Sequence, residues 1–122
     1  MIYGTGIDIV EIGRIKKAME KPQFLERFFS QEEIAYFQSR GLAAQSVAAN
    51  FAGKEAFSKA IGTGVRGFSL CEVEILRDET GKPHIALSGA AKKIVDESGI
   101  SGLFISISHS EEYAVAQVIA ER

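Results

Sequence analysis

The sequence predicts an α+β fold in which a mostly antiparallel sheet packs against helices. Segments that alternate apolar and polar side chains, as strands do, occur near both ends of the chain. Segments with apolar residues three to four positions apart, as in helices, occupy much of the region between them. Only a few turn residues separate neighbouring strand candidates in the second half, which favours antiparallel hairpins over parallel crossovers.

The first predicted element is a strand over residues 2–10. Its alternation places Gly4, Gly6 and Asp8 on one face and apolar residues on the other. From Glu11 the apolar residues follow helical spacing, which predicts a short first helix that ends before a second helical segment rich in phenylalanine.

The middle of the chain predicts two further helices. Ser30 and Glu33 form a capping-box pattern, so a helix should begin at Gln31. A longer, alanine-rich helix is expected over residues 42–61, where a glycine-rich run stops it.

The second half predicts a hairpin, a helix with Ser88 as its N-terminal cap, and two final strands. Turn residues join the strands of each pair, so both pairs should be antiparallel. These elements are expected at 71–75 and 83–87 for the hairpin, at 88–98 for the helix, and at 103–108 and 113–120 for the final strands.

Length and composition indicate one globular domain over residues 1–122. The chain is 46% hydrophobic and 25% charged, and a chain of this size can form one core. Its net charge of −2 argues against a nucleic-acid surface, which requires dense Lys and Arg. Cys71 is the only cysteine and excludes an internal disulfide. With no signal peptide and no apolar run of spanning length, we expect a cytoplasmic protein without membrane contact.

Two carboxylates stand out as candidate functional groups. Asp8 lies between two isoleucines in a strand, where a carboxylate is disfavoured unless it is exposed, paired or bound to a metal. The glycines on its face leave room for a ligand, but a solvated Asp on an edge strand is the simpler alternative. Glu55 shares a helix stripe with apolar residues and has Lys59 one turn later, so an ordinary ion pair is the alternative there.

A glycine-rich run and a histidine are weaker candidates. Residues 62–67 match G-x-G-x-x-G in letters, but they follow a helix rather than a strand, which excludes a dinucleotide fingerprint. The run is either a helix stop or a phosphate loop that needs Lys59 or Arg66 as its cation. His109 ends an apolar strand and is either a structural, hydrogen-bonded histidine or a ligand contact.

A basic stripe runs along the first helix. Arg14, Lys17 and Lys21 recur at helical spacing, and Arg27 extends the stripe. In an acidic chain this stripe is either a solvated face or a docking site for an acidic partner.

Three separated motifs together resemble the 4'-phosphopantetheinyl transferase family, in its short, trimeric branch of holo-acyl-carrier-protein synthases. They are GIDI at 6–9, FAGKEAFSKA at 51–60 and SISHS at 106–110. The resemblance covers essentially the whole chain and implies the fold of that family. It also implies transfer of the 4'-phosphopantetheine group from coenzyme A to a serine of apo acyl carrier protein. A non-catalytic module that binds a carrier protein or a nucleotide is the alternative, and a purely structural domain is a third.

The resemblance implies that Asp8 and Glu55 bind Mg²⁺ and that Lys59 contacts the coenzyme A diphosphate, which makes these three the catalytic residues. A hard cation that takes carboxylate and phosphate oxygens agrees with this assignment. Either a water near Asp8 or Glu55 itself would act as general base.

The same resemblance assigns the cofactor cleft, the partner and the assembly. The active site would form between subunits of a homotrimer. Asn50 stands where relatives often carry Arg, which puts one contact to the coenzyme A phosphates in question. The cofactor cleft would be lined by Lys59, Gly62, Thr63, Gly64, Pro83 and His109. The acidic helix of the carrier would be recognised by Arg14, Lys17, Lys21, Phe24 and Arg27.

Overall fold

Five strands and five helices make up the computed structural model, which describes residues 1–122. All strand pairs are antiparallel, as predicted. The strands are β1 (Ile2–Glu11), β2 (Val73–Arg77), β3 (Pro83–Leu87), β4 (Gly102–His109) and β5 (Tyr113–Glu121). The helices are α1 (Ile12–Ala18), α2 (Phe24–Phe28), α3 (Gln31–Ser39), α4 (Ala44–Ala60) and α5 (Gly89–Glu97).

The strands form a three-stranded sheet in the order β1-β5-β4 and a separate hairpin of β2 and β3. β5 is the central strand of the larger sheet, so the start of the chain pairs with its end, as in Gly6 opposite Val118. None of the helices is long and apolar enough to span a lipid bilayer.

Helix α4 lies directly against β1, because Gly4 and Gly6, which face it, have no side chains. A Cβ atom at Gly4 would overlap the carbonyl oxygen of Ala60, and a Cβ atom at Gly6 would overlap that of Ala56. The prediction that these glycines leave room for a ligand is therefore wrong, since the backbone of α4 fills that space. Asp8, the next residue on this face, is consequently brought beside α4.

Two apolar clusters stabilise this arrangement. The larger one joins one face of α4 to the sheet, the hairpin and α5, and it includes Phe57, Ile75 and Val118. The smaller one packs α1, α2 and α3 against the start of α4 around Phe29 and Phe37. Burial of this kind stabilises a fold by roughly 25 cal/mol per Å² of apolar surface. Because both clusters contain residues of α4, this helix is held by apolar contacts along its whole length.

An ion pair is fully buried between α3 and α4. Lys54 Nζ lies 2.6 Å from Glu33 Oε1, and neither side chain is exposed. The ammonium also donates to the carbonyl oxygens of Leu70 and Val73. Glu33 completes the predicted capping box, in which Ser30 Oγ accepts from the Glu33 amide and Oε1 accepts from the Ser30 amide. One carboxylate therefore caps α3 and balances the charge of Lys54.

Besides shifts of one or two residues at other ends, two element starts and one helix cap differ from the predictions. Helix α4 begins at Ala44 because Leu42 has a left-handed φ of 55° and cannot continue a helix. Strand β2 begins at Val73 because residues 70–72 form a 3₁₀ turn. The Ser88 side chain does not cap α5; the Ala90 amide donates instead to Glu72 Oε2, at 3.2 Å.

Candidate active site

Asp8, Glu55 and Lys59 converge at the contact between β1 and α4. Lys59 Nζ donates to Asp8 Oδ1 at 2.9 Å and to the carbonyl oxygen of Ile7 at 3.0 Å. The Asp8 side chain is only 18% exposed, so it is not the solvated edge carboxylate of the simpler alternative. Lys59 pairs with Asp8 across the two elements, and the i, i+4 ion pair with Glu55 does not form.

Two carboxylates at this contact repel each other. Burial raises the pKa of Glu55 above its ordinary value, the negative charge of Asp8 raises it further, and Lys59 opposes both effects. Both carboxylates line one cleft, together with Arg14, Phe24 and Tyr113. The single positive charge of Lys59 therefore does not balance the two negative charges of Asp8 and Glu55.

The donor set of this cleft fits a hard divalent cation. Proteins usually bind Mg²⁺ through one or two carboxylates, and waters and substrate phosphate oxygens supply its other ligands. Asp8 and Glu55 already repel each other, and a cation between them would remove that repulsion. No three His, Cys, Asp or Glu side chains are arranged so that they could hold a metal ion together, so a metal here would need further ligands from outside the chain.

The glycine-rich run lies directly after Lys59 at the end of α4. Gly62 and Gly64 have positive φ values of 83° and 62°, which allow the tight reversal. The amide of Gly64 donates to the carbonyl oxygen of Ser58, and the Thr63 hydroxyl donates to that of Gly64. The run therefore ends α4. A phosphate contact beside Lys59 stays a prediction.

Pro83 and His109 lie in a different cleft, which has a volume of about 480 Å³. This second cleft is bordered by the end of α3, the start of α4, the β2–β3 hairpin and the end of β4. It shares no lining residue with the cleft of Asp8 and Glu55. A single chain therefore does not bring His109 and Pro83 together with the carboxylates. The polar and charged side chains of the second cleft are those of Tyr36, Ser39, Arg40, Gln45, Ser46, Arg77 and His109.

The basic stripe lies beside the carboxylate cleft. Arg14 lines that cleft, while Lys21, Phe24 and Arg27 line a neighbouring groove between α1 and α2. The side chains of Arg14, Lys17, Lys21 and Arg27 are exposed, and none of them forms an ion pair with a carboxylate. The prediction that Lys21 lies on the first helix is wrong, because α1 ends at Ala18. The stripe is a positively charged surface that runs from the edge of the carboxylate cleft along α1 and the following turn to α2.

Asn50 is fully buried and does not reach either cleft. Its amide nitrogen donates to Glu33 Oε2 and to the carbonyl oxygen of Ile75, both at 3.0 Å. Its carbonyl oxygen accepts a hydrogen bond from Arg77 at 2.9 Å.

Sequence reasoning missed Arg40, Arg77 and Tyr36 of the second cleft. Arg40 lies just after α3 and Arg77 ends β2, so nothing in their spacing joins them. One signal in the sequence was that Arg77 interrupts the apolar pattern of a strand just before a turn. The signal is weak, because charged residues at strand ends are usually exposed to solvent.

Comparison with known proteins identifies the family. Residues 4–118 match the family model of the 4'-phosphopantetheinyl transferase superfamily. The holo-[acyl-carrier-protein] synthase of Clostridium botulinum (strain Alaska E43 / Type E3) is 52% identical over 122 residues, covering 99% of this chain and 98% of that protein.

Solved structures agree with this assignment. The holo-[acyl-carrier-protein] synthase of Neisseria meningitidis superposes with a TM-score of 0.94 at 39% identity, and the match covers 100% of both chains. The Helicobacter pylori enzyme of the same name, solved in complex with coenzyme A, superposes with a TM-score of 0.83 at 38% identity over 96% of this chain and 99% of that one. The predicted α+β fold and family are confirmed, and the chain belongs to the 4'-phosphopantetheinyl transferase superfamily.

Proposed function

We propose that this chain transfers the 4'-phosphopantetheine group of coenzyme A to a serine of apo acyl carrier protein. The observation that carries this proposal is the convergence of Asp8, Glu55 and Lys59 beside a basic surface. Its relatives are named as enzymes of this reaction, and one of them binds coenzyme A. In the reaction the serine oxygen bonds to the β-phosphorus, and the bond from that phosphorus to adenosine 3',5'-bisphosphate breaks.

Asp8 and Glu55 would hold Mg²⁺, which supplies charge neutralisation at the diphosphate when it is bound. Lys59 already lies on Asp8, so its ammonium would contact a diphosphate at the same place. The proton of the serine hydroxyl would pass to Glu55 or to a water beside Asp8.

The second cleft would complete the active site from a neighbouring copy of the chain. Pro83 and His109 are separated from the carboxylate cleft within one chain, so a shared site requires two chains. The outer face of the three-stranded sheet offers the contact, because Ile7, Ile9 and Phe104 are 61%, 64% and 55% exposed there. A closed ring of three copies would bury this face and form three equal sites.

The basic stripe would dock the acidic helix of the carrier. Its exposed cations start at Arg14 on the carboxylate cleft and continue along α1 and α2. A positive surface in an acidic chain speeds the encounter with an acidic partner. Coenzyme A and acyl carrier protein as partners agree with the predicted cytoplasmic location, which stays a prediction.

The test is a transfer assay read by mass spectrometry. Purified chain, apo carrier, coenzyme A and Mg²⁺ should yield a carrier heavier by one phosphopantetheine group, and a chelator should stop the reaction. Binding of carrier or nucleotide without any mass increase would favour the alternative of a non-catalytic module.

Variants test the residue assignments separately from the reaction. Asp8→Asn and Glu55→Gln should each lower kcat by at least about 100-fold, since each removes a carboxylate ligand of the cation that would neutralise charge at the diphosphate. Glu97→Gln is the matched control, because Glu97 is exposed on α5 away from both clefts and should keep full activity. Full activity of both cleft variants would disprove the metal and catalytic assignments while leaving the reaction intact.

A further inference from the structure

Helix α4 offers few side chains that could hold it in one orientation against β1. The contact is made through Gly4 and Gly6, where a Cβ atom would overlap carbonyl oxygens of the helix. Among the buried residues of α4 only Val47 and Phe57 are large and apolar. Packed helices are usually fixed by ridges of side chains that fit into grooves of their neighbours, and a glycine surface lacks such ridges. The rotation of α4 about its own axis therefore depends on other contacts.

Two lysines of α4 make the directional contacts that this smooth surface lacks. Lys59 bonds to Asp8 on β1, but its side chain is 51% exposed, and exposed ion pairs contribute little to stability. Lys54, by contrast, is fully buried. Its ammonium group donates to three acceptors, which are Glu33 Oε1 and the carbonyl oxygens of Leu70 and Val73. Because an ammonium has three N–H donors, Lys54 has none left for a ligand, and its role is to hold α4.

The carboxylate that holds Lys54 is itself fixed. The oxygens of Glu33 accept hydrogen bonds from the backbone amides of Ser30 and Ile75 and from the side-chain amide of Asn50. No buried polar side-chain atom of the chain lacks a partner. A rotation of α4 would break these buried bonds, and no water is at hand to replace them. The Glu33–Lys54 pair thus resists rotation of α4 far more strongly than the exposed pair at Lys59.

The consequence for the carboxylate cleft follows from the position of Glu55, which is the next residue after Lys54. Successive residues of an α-helix point about 100° apart, so any rotation that moves Lys54 moves Glu55 by the same angle. We infer that Lys54 and Glu33 are positioning residues, which fix the rotation of α4 so that the Glu55 carboxylate shares one cleft with Asp8. This inference rests on the proposed function, in which these two carboxylates would hold Mg²⁺.

The experiment uses Mn²⁺ as the probe of the carboxylate cleft, because electron paramagnetic resonance reports its binding without turnover. With coenzyme A present, Lys54→Met should raise the Kd of Mn²⁺ by roughly tenfold or more, as the loss of a residue that orients a metal ligand does. Ile100→Ala is the matched control, since Ile100 is buried in the larger apolar cluster and lines neither cleft. It should also lower Tm, but it should change the Kd of Mn²⁺ by less than about twofold.

Thermal unfolding reports whether each variant is folded at the temperature of the measurement. If Lys54→Met does not fold, Glu33→Gln takes its place, because it keeps the shape of the side chain and removes the charge that holds Lys54. It should raise the Kd of Mn²⁺ by about threefold or more, since it weakens one charge-assisted hydrogen bond.

Amide resonances in nitrogen-15 NMR spectra report the same geometry without any metal. The resonances of Gly4, Gly6 and Asp8 should move in Lys54→Met and stay in place in Ile100→Ala, because only the first change alters how α4 lies on β1.

An unchanged Kd of Mn²⁺ in the folded Lys54→Met or Glu33→Gln variant, or an equal loss in Ile100→Ala, would overturn the inference. Absence of transfer by the unmodified chain would instead refute the proposed function. In that case the amide resonances would still decide whether Lys54 fixes the orientation of α4, since they require neither metal nor turnover.

Discussion

Replacement of Lys54 by methionine should strongly destabilise the fold, because it leaves the Glu33 carboxylate buried without its counter-charge. The ammonium of Lys54 makes three hydrogen bonds, to Glu33 at 2.6 Å, to Leu70 at 2.8 Å and to Val73 at 2.7 Å. Removal of one partner of a buried ion pair costs about 3–5 kcal/mol. The two orphaned carbonyl oxygens, at ~1–3 kcal/mol each, place the loss toward the upper end of that range.

This loss should be visible in both thermal and denaturant unfolding. For a domain of this size 1 kcal/mol corresponds to about 4 °C, so Lys54→Met should lower Tm by about 12–20 °C. Lys92→Met is the matched control, because it breaks an ion pair with Asp96 whose side chains are 59% and 60% exposed. Such a surface pair contributes less than about 1 kcal/mol.

A double variant separates the charge effect from lost packing. Glu33→Gln in the Lys54→Met background removes the buried charge and leaves an amide oxygen that can still accept a hydrogen bond. It should therefore be less destabilised than the sum of the two single variants, by ~0.5–3 kcal/mol. Strict additivity, or a loss below about 1 kcal/mol for Lys54→Met, would refute the reasoning.

The loss should also depend on pH. Burial raises the pKa of Glu33 above its ordinary value of 4.5, and Lys54 opposes that rise, so its removal raises the pKa further. A carboxyl whose folded pKa exceeds its unfolded pKa favours the fold below the unfolded pKa and loses that contribution as pH rises through the folded one. The difference in unfolding free energy between Lys54→Met and the unmodified chain should therefore become smaller as pH falls from 8 towards 4.5. A deficit that grows over that range would contradict the assignment.

Three further predictions follow from single contacts. Gly6→Ala should separate β1 from α4, because the new Cβ meets the Ala56 carbonyl oxygen; we expect a loss of at least about 1–3 kcal/mol in unfolding free energy and of activity in the transfer assay. Glu72→Gln should destabilise most above about pH 4.5, since amide hydrogen bonds lower the Glu72 pKa and that contribution disappears as pH falls through the lowered value. Ile9→Lys should dissociate the proposed trimer in light scattering, because it places a charge on the exposed apolar face.

Each of these has a contradicting result, and the Gly6 and Ile9 variants also have a control variant. Gly13→Ala is the control for Gly6, because a Cβ at Gly13 meets nothing within 4 Å; equal stability of the two variants would exclude the close contact. A pH-independent effect of Glu72→Gln would exclude the hydrogen-bonded carboxylate as its cause. Glu97→Lys places the same charge at an exposed site of α5, which packs with α4 on the other side of the sheet; dissociation by Glu97→Lys as well would show that the apolar face is not the cause.

The order of elements could be predicted from local patterns, and Asp8 could be recognised as unusual. The capping box at Ser30 and Glu33 forms as expected, and the strand and helix order follows the apolar periods. Asp8 is unusual because burying a carboxylate in an apolar strand costs free energy unless it is paired. The structure agrees, since the Asp8 side chain is largely buried and forms an ion pair with Lys59.

Other features depended on contacts between residues far apart in sequence. Which face of β1 is covered could not be predicted, because the usual rule would bury the isoleucines, whereas the glycine face packs on α4 and Ile7 and Ile9 stay exposed. Lys54 resembled an ordinary helix lysine until α3 placed Glu33 beside it.

The sequence by itself determined the family and the order of elements, since these depend on residue type and local spacing. It also singled out Asp8 and Glu55 through the resemblance, and their roles stay predictions. Only the tertiary structure decided that Lys59 binds Asp8 rather than Glu55, and that His109 lies in a separate cleft with Arg40 and Arg77. The reason is that local patterns encode periodicity and residue chemistry. Contacts across α3, α4 and the sheet arise only when packing brings distant segments together.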